Sequence, residues 1–197
     1  MTLLIRAEQD ANELPQLIKE FRSKFWNKLN NNDKSLGTPA QPFKMIGAFE
    51  IDVKNMATQA DASFASRDLI EQLGYTSKGT GWKCSYLLHL HAVVGPLDNE
   101  RKDRLTYLIE ESLGVPLLSR QLDLRWYADK PKDDNLRKLA SYMFKARLQY
   151  ANNIFDDNQM QKRAKYHTPY KGKVLLDYLK VVKGMQNFKG LKFDFGA

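Results

Sequence analysis

Two histidines stand two residues apart in the apolar stretch 85–94, and the chain has only three histidines in all. This stretch predicts a buried β-strand, in which successive side chains alternate between the two faces. His89 and His91 are therefore expected on one face, with Leu88 and Leu90 on the other. Because neutral imidazoles bind divalent metal ions, the pair could supply half of a metal site.

Two carboxylates occupy a second apolar stretch, residues 43–53 (FKMIGAFEIDV), which predicts another core strand. Glu50 and Asp52 are two residues apart and should share a face. A carboxylate in an apolar strand is costly to bury unless it is paired or binds a metal ion. Two interpretations stay open: the pair completes a metal site, or it lies on the water-facing side of an edge strand.

A tyrosine with lysines nearby is the third candidate. Residues 135–154 have the periodicity of a long helix, and Tyr150 falls on its predicted buried stripe. Tyr142 falls on the opposite, polar face with Lys138 and Lys145. Positive charge near a phenol favours the phenolate and stabilises charge that develops on a phosphate, which suits phosphoryl transfer. A base-stacking platform and an ordinary surface residue are the alternatives for Tyr142.

The elements that must position these residues follow from periodicity, caps and turn residues. The remaining helices are predicted at residues 11–30, 61–73, 100–113 (capped by Asp98) and 174–182; a loop is predicted at 30–39, a further strand at 121–127 and a partly mobile end after the last helix. This order predicts an α+β domain with a mostly antiparallel sheet covered by helices on one side, and a split β-α-β, ferredoxin-like sheet is the expected form.

We divide the chain into an N-terminal helical arm and loop (1–40), a main domain (41–155) and a basic C-terminal extension (156–197).

Charge and composition point to an anionic partner. The net charge is +8, and residues 130–197 hold 15 of the 31 lysines and arginines but few of the 23 acidic residues. A localised basic region is typical of nucleic-acid binding, although a solvated basic face is an equal alternative. We take Lys162, Arg163 and Lys165 as candidate phosphate contacts, and Lys138 as a further candidate DNA-binding residue. The single cysteine and the absence of a long apolar run predict a soluble, cytoplasmic protein with no membrane partner.

Three segments, in order, resemble the motifs of the HUH endonucleases, and among these the rolling-circle replication initiators of small plasmids. FKMIGAFEIDV is similar to the family's first strand motif and LLHLHAVV to its histidine–hydrophobic–histidine strand. LASYMFKARLQY is similar to its tyrosine motif, in which a lysine follows the tyrosine by three positions, as Lys145 follows Tyr142. The resemblance implies an HUH nuclease fold for residues 41–155.

The resemblance also implies an activity, which is site-specific nicking and joining of single-stranded DNA. His89 and His91 would bind Mg²⁺ or Mn²⁺, with Glu50 as third ligand and Asp52 in reserve. Tyr142 would attack the DNA phosphate, giving a 5′-phosphotyrosine and a free 3′-hydroxyl. The implied partners are single-stranded or hairpin origin DNA together with a host helicase and polymerase, since the chain has no P-loop signature.

One position departs from the family, and two alternative functions stay open. Some initiators carry a glutamate four residues before the tyrosine, where this chain has Lys138. Either another carboxylate performs the step that ends replication, with Asp133 and Asp134 available upstream, or termination works differently. An HUH-type transposase would use the same chemistry. A non-catalytic nucleic-acid-binding module of ferredoxin-like fold would instead stack bases on Tyr142, Tyr127 or Trp126.

Overall fold

The computed structural model describes residues 1–55, 69–74, 84–124, 137, 153–155, 161–163, 169 and 171–196. Within these ranges the strands are β1 (Thr2–Glu8), β2 (Lys44–Asn55), β3 (Cys84–Gly95), β4 (Leu122–Asp123), β5 (Asn153–Phe155), β6 (Gln161–Arg163) and β7 (Lys192–Phe195). The α-helices with described bounds are α1 (Leu14–Asn31), α2 (Asp33–Leu36), α3 (Asn99–Leu113) and α4 (Gly172–Gly184). Short 3₁₀ segments, Ala11–Glu13 and Asn187–Leu191, precede α1 and β7. In this part of the chain no helix has both the length and the apolar character to cross a bilayer.

Five of these strands form one antiparallel sheet in the order β4-β1-β3-β2-β7. The histidine strand β3 is central, with β1 on one side and β2 on the other. Helix α1 follows β1 along the chain and α3 follows β3. β5 and β6 pair separately. The predicted α+β class with an antiparallel sheet is confirmed.

The main core lies between one face of this sheet and the helices. α1 contributes buried residues at the spacing of one helix face: Leu14, Ile18, Phe21, Phe25 and Leu29. β7 adds aromatic rings, and Phe193 stacks on Phe25 with centroids 5.5 Å apart. The alternating residues of β2 and β3 that face this side, such as Phe49 and Leu90, are buried as well.

The ends of α3 show why its sequence folds locally as predicted. The Asp98 carboxylate accepts a hydrogen bond from the Arg101 backbone N–H at 2.8 Å, which satisfies one of the free donors of the first turn. Gly114 ends the helix with φ +76°, a left-handed conformation that glycine adopts without steric cost. Helix α4 likewise covers the predicted helix at 174–182.

The structure differs from the sequence predictions at several places. α2 occupies part of the predicted loop 30–39. Asn153 and Ile154, predicted as the end of the tyrosine helix, lie in β5. The glycine-, lysine- and phenylalanine-rich end forms a 3₁₀ segment and β7 rather than a mobile tail, because its alternating phenylalanines enter the core.

The N-terminal residues contribute to the same sheet as the histidines. β1, which the sequence did not predict, pairs with β3, and α1 packs in the core that β2 and β3 share. Residues on both sides of the predicted boundary at residue 40 therefore belong to one sheet and one core. Of the other predicted elements, residues 61–68, 125–127 and 135–152 lie outside the described residues, except that Arg137 is helical.

Candidate histidine–carboxylate site

The two strand histidines lie on one face of the sheet, as their spacing predicts. Leu88 and Leu90 are fully buried in the main core, so the alternating His89 and His91 project from the opposite face. Their rings lie side by side, with centroids 5.5 Å apart and an interplanar angle of 37°. His91 is only 6% exposed, whereas His89 is partly exposed.

The two carboxylates share that face because β2 pairs with β3 in a continuous register. Glu50 lies directly opposite His89, and Asp52 lies opposite Leu87. The Glu50 Oε2 atom is 2.8 Å from His91 Nε2, a hydrogen-bonding distance, and both side chains are largely buried. The water-facing interpretation is wrong for these residues, since Asp52 is 4% exposed and the Glu50 side chain is 15% exposed.

β1 supplies a third side chain, which the sequence did not single out. Thr2 is the register partner of His91, and its Oγ1 lies 3.0 Å from His91 Nδ1. An ionised carboxylate only accepts hydrogen bonds, so a neutral His91 carries its proton on Nε2 and donates it to Glu50. Nδ1 then accepts from the Thr2 hydroxyl. The result is a hydrogen-bonded chain, Thr2–His91–Glu50, across three neighbouring strands.

A small apolar cluster covers one end of this face. It consists of Ala7, Ile70, Leu73 and Leu87. A bulge between Leu4 and Arg6 inserts one residue into β1, which turns Ala7 to the histidine side. Because the site is partly shielded from water, its hydrogen bonds and charges interact more strongly than they would at the surface.

The described core tyrosines are unsuited to be nucleophiles. The Tyr86 hydroxyl donates to Asp177 Oδ2 at 2.7 Å in the main core. Burial raises the pKa of the Tyr178 hydroxyl, and the negative charge of Glu50 raises this pKa further. Tyr178 therefore keeps its proton at neutral pH.

The donor types at this face suit a divalent cation, since they comprise two imidazoles and two carboxylates. In the arrangement present, however, Nε2 of His91 bonds directly to Glu50. Among the described residues no group of three or more His, Cys, Asp or Glu side chains is placed to hold a metal ion. A cation at this face would thus have to replace the His91–Glu50 hydrogen bond.

The other predicted site residues fall elsewhere. Tyr142, Lys145, Lys138 and Lys165 lie outside the described residues. Lys162 and Arg163 lie in β6, where only the backbone is described. The structure thus brings together the histidine and carboxylate members of the predicted site and adds Thr2.

Comparison of the chain with protein-family models, curated proteins and solved structures finds no match.

Proposed function

We propose that the protein is a metal-dependent endonuclease and strand transferase that nicks and joins single-stranded DNA through Tyr142 and so initiates rolling-circle replication. The observation that carries this proposal is the meeting of His89, His91 and Glu50 on one face of the central strands. The imidazole–carboxylate contact of 2.8 Å lies where the HUH resemblance expects its metal ligands. The resemblance supplies the reaction and the ligand set, and the geometry supports them only by placing these side chains on one face, since the described residues are not arranged as a metal site.

The fold in this proposal is the ferredoxin-like sheet of HUH nucleases. The order β4-β1-β3-β2, with α1 after β1 and α3 after β3, supports this proposal, because a split β-α-β sheet would have its strands and helices in such an order. The core helices pack on the face opposite the histidines. This arrangement supports the proposal because the core helices α1 and α4 do not cover the histidine face.

In the proposed reaction the Tyr142 oxygen forms a bond to the phosphorus of a DNA phosphodiester. The bond from phosphorus to the 3′-oxygen breaks, the phenol proton passes to solvent, and the 3′-oxygen takes up a proton as a 3′-hydroxyl. Lys145 orients the phosphate. A Mg²⁺ or Mn²⁺ ion held by His89, His91 and Glu50 would polarise the scissile phosphate. Joining reverses these bond changes with another 3′-hydroxyl.

The test uses purified full-length protein and a mixed pool of single-stranded oligonucleotides with Mg²⁺ or Mn²⁺. We expect cleavage and a covalent protein–DNA adduct that maps by mass spectrometry to Tyr142. Tyr142→Phe should abolish both, whereas Tyr150→Phe, on the predicted buried stripe, should retain them. An adduct that forms on Tyr142→Phe as well as on the natural protein would show that Tyr142 is not the nucleophile.

A non-catalytic nucleic-acid-binding module is the second candidate. The direct His91–Glu50 hydrogen bond favours it, because a buried imidazole satisfied by a carboxylate needs no metal ion. This alternative predicts DNA binding that is independent of divalent cations and unaffected by His89→Ala. The endonuclease proposal predicts that His89→Ala removes cleavage.

The basic C-terminal region is the proposed phosphate-binding surface. Replacing Lys162, Arg163 and Lys165 with alanine should weaken DNA binding. It should also reduce the slope of log affinity against log salt by about one unit for each of these side chains that binds a phosphate in the natural protein. Fluorescence anisotropy at several salt concentrations measures this slope. An unchanged slope would assign these residues to a solvated surface.

A further inference from the structure

We propose that Trp26 and Arg22 of α1 form a base-stacking site for single-stranded nucleic acid, on the helical side of the sheet and away from the histidine face. This inference deepens the proposed function, on which it rests for the class of partner. It assigns a role to two residues that no motif includes. The evidence is the exposure of one aromatic ring, the contacts that hold it and the charges around it.

Trp26 is a large aromatic side chain that reaches the surface beside the core. It is 40% exposed, although it follows directly after Phe25 of the buried stripe of α1. Its ring makes T-shaped contacts with two buried rings of β7, Phe195 at 5.1 Å and Phe193 at 6.1 Å between centroids. These contacts orient the indole. A ring that is already oriented loses little conformational entropy when a flat ligand stacks on its exposed part.

The charges next to Trp26 on α1 are positive. With 3.6 residues per turn, Arg22 lies about 40° and Lys19 about 20° around the helix axis from Trp26, so the three residues form one stripe. Lys19 is exposed and Arg22 is partly exposed. Glu20, the one acidic residue of α1, lies about 120° away from Trp26. The stripe therefore favours an anionic ligand.

Arg22 is held in place as well. Its Nη1 atom donates to the Gly190 carbonyl at 3.3 Å, which ties α1 to the segment before β7. This bond uses one of the five N–H donors of the guanidinium, so the group can still bind a phosphate. Lys189, which precedes Gly190, is also exposed and adds a cation at this end of the sheet.

A fixed aromatic ring beside fixed cations matches the chemistry of a single-stranded nucleic acid. The bases of a single strand can stack on the indole while the phosphates next to them bind the guanidinium. Bases in a duplex are already stacked on each other, and an acidic peptide would supply carboxylates but no row of flat rings. A lipid surface would require a wider apolar face than one tryptophan provides.

The test measures binding of a fluorescein-labelled oligo(dT) to the full chain by fluorescence anisotropy, in EDTA so that no divalent cation contributes. Circular dichroism first shows that each variant is folded. Trp26→Leu keeps an apolar side chain against β7 but removes the ring, and should weaken binding by about 5- to 150-fold, the contribution of stacking on one base. Trp26→Phe keeps a ring and should retain most of the affinity. Arg22→Gln should reduce the slope of log affinity against log salt by about 0.7.

Tyr107→Leu is the matched control. Tyr107 is also an exposed aromatic residue on a helix, but its hydroxyl bonds the Glu111 carboxylate, whose charge repels phosphates. This variant should bind oligo(dT) like the natural protein. An oligonucleotide that carries 5-iododeoxyuridine should crosslink under ultraviolet light to the peptide that contains Trp26, which requires no variant.

Four results would overturn the inference. They are the absence of oligo(dT) binding, equal affinity of Trp26→Leu and the natural protein, crosslinks that exclude the Trp26 peptide, and duplex binding with the same dependence on Trp26. Failure of the proposed function gives a different result. Binding that depends on Trp26 without a Tyr142 adduct keeps the inference and refutes the nicking activity. An adduct on Tyr142 with binding that Trp26→Leu leaves unchanged keeps the activity and refutes the inference.

Discussion

Tyr86→Phe tests how the histidine strand is held against the helical layer. Tyr86 is fully buried on the core face of β3, and its hydroxyl donates to Asp177 Oδ2 of α4 at 2.7 Å. Asp177 is 4% exposed. Its carboxylate also forms ion pairs with Lys173 and, at 3.5 Å, with Lys180. These lysines are more than half exposed, so water screens their contribution. The tyrosine is therefore the buried donor that fixes the carboxylate.

Tyr86→Phe should lower the free energy of unfolding by the contribution of one hydrogen bond to a buried charge. Such bonds contribute about 1.5–3 kcal/mol, and Phe fills the space of the ring, so no cavity adds to this cost. For a chain of this size that corresponds to a fall in melting temperature of roughly 3–12 °C. Urea unfolding followed by circular dichroism measures the free energy. In an Asp177→Asn background the same change should cost less, about 0.5–1.5 kcal/mol, because the acceptor is neutral.

Tyr107→Phe is the matched control. Its ring is 47% exposed, and its hydroxyl also bonds a carboxylate, that of Glu111 at the surface. This change should alter the free energy of unfolding by less than about 0.5 kcal/mol. If Tyr86→Phe cost no more than Tyr107→Phe, the buried hydrogen bond would not stabilise the fold as argued.

The pH dependence provides an independent check. Burial raises the pKa of the Asp177 carboxyl, but hydrogen bonds from Lys173 and Tyr86 and the charges of Lys173 and Lys180 outweigh it, so this pKa lies below its ordinary value. A depressed folded-state pKa contributes stability that is present above the unfolded pKa, about 4, and is lost as the pH falls through the folded value. The difference between the natural protein and Tyr86→Phe should therefore shrink below about pH 4. A difference that stayed constant down to about pH 2 would contradict this account.

Three further substitutions test the sheet and its helices by urea unfolding. In Gly47→Ala the new Cβ would lie 2.3 Å from the His91 carbonyl oxygen, so β2 must shift at a cost of about 1–3 kcal/mol; a cost near zero would contradict the close strand packing. Asp98→Ala removes the cap of α3 and should lower the free energy of unfolding by about 1 kcal/mol. Asp103 is exposed and caps no helix, so Asp103→Ala should change it little. Equal effects of the two variants would argue against the cap. Leu88→Ala should lower the free energy of unfolding by about 2–5 kcal/mol, because the side chain is fully buried. A loss under about 1 kcal/mol would mean that neighbouring side chains fill the space that the leucine leaves.

Local patterns predicted the elements that carry the histidines and carboxylates. Alternation predicted that His89 and His91 share one face of their strand and that Glu50 and Asp52 share one face of theirs. Side-chain direction within a strand depends only on the period of two. The Asp98 cap likewise marked the start of α3 from neighbouring residues alone. Such features need no information from distant parts of the chain.

β1 and β7 could not be predicted in the same way. β1 is interrupted by a bulge that breaks the alternation, and β7 is only four residues long, so neither has a clear pattern of its own. Both are stabilised as strands by pairing with neighbours that are distant in sequence. Propensity alone does not decide such segments, because the hydrogen bonds that form them belong to other strands.

The sequence by itself determined that two histidines share a face, that two carboxylates share a face and that both strands are largely apolar. Only the tertiary structure decided that these faces are the same one, that Glu50 reaches His91 and that Thr2 completes the chain. The physical reason is register. Pairing of β1, β3 and β2 is set by burial of the whole core face, and a shift of one residue would turn every one of these side chains away.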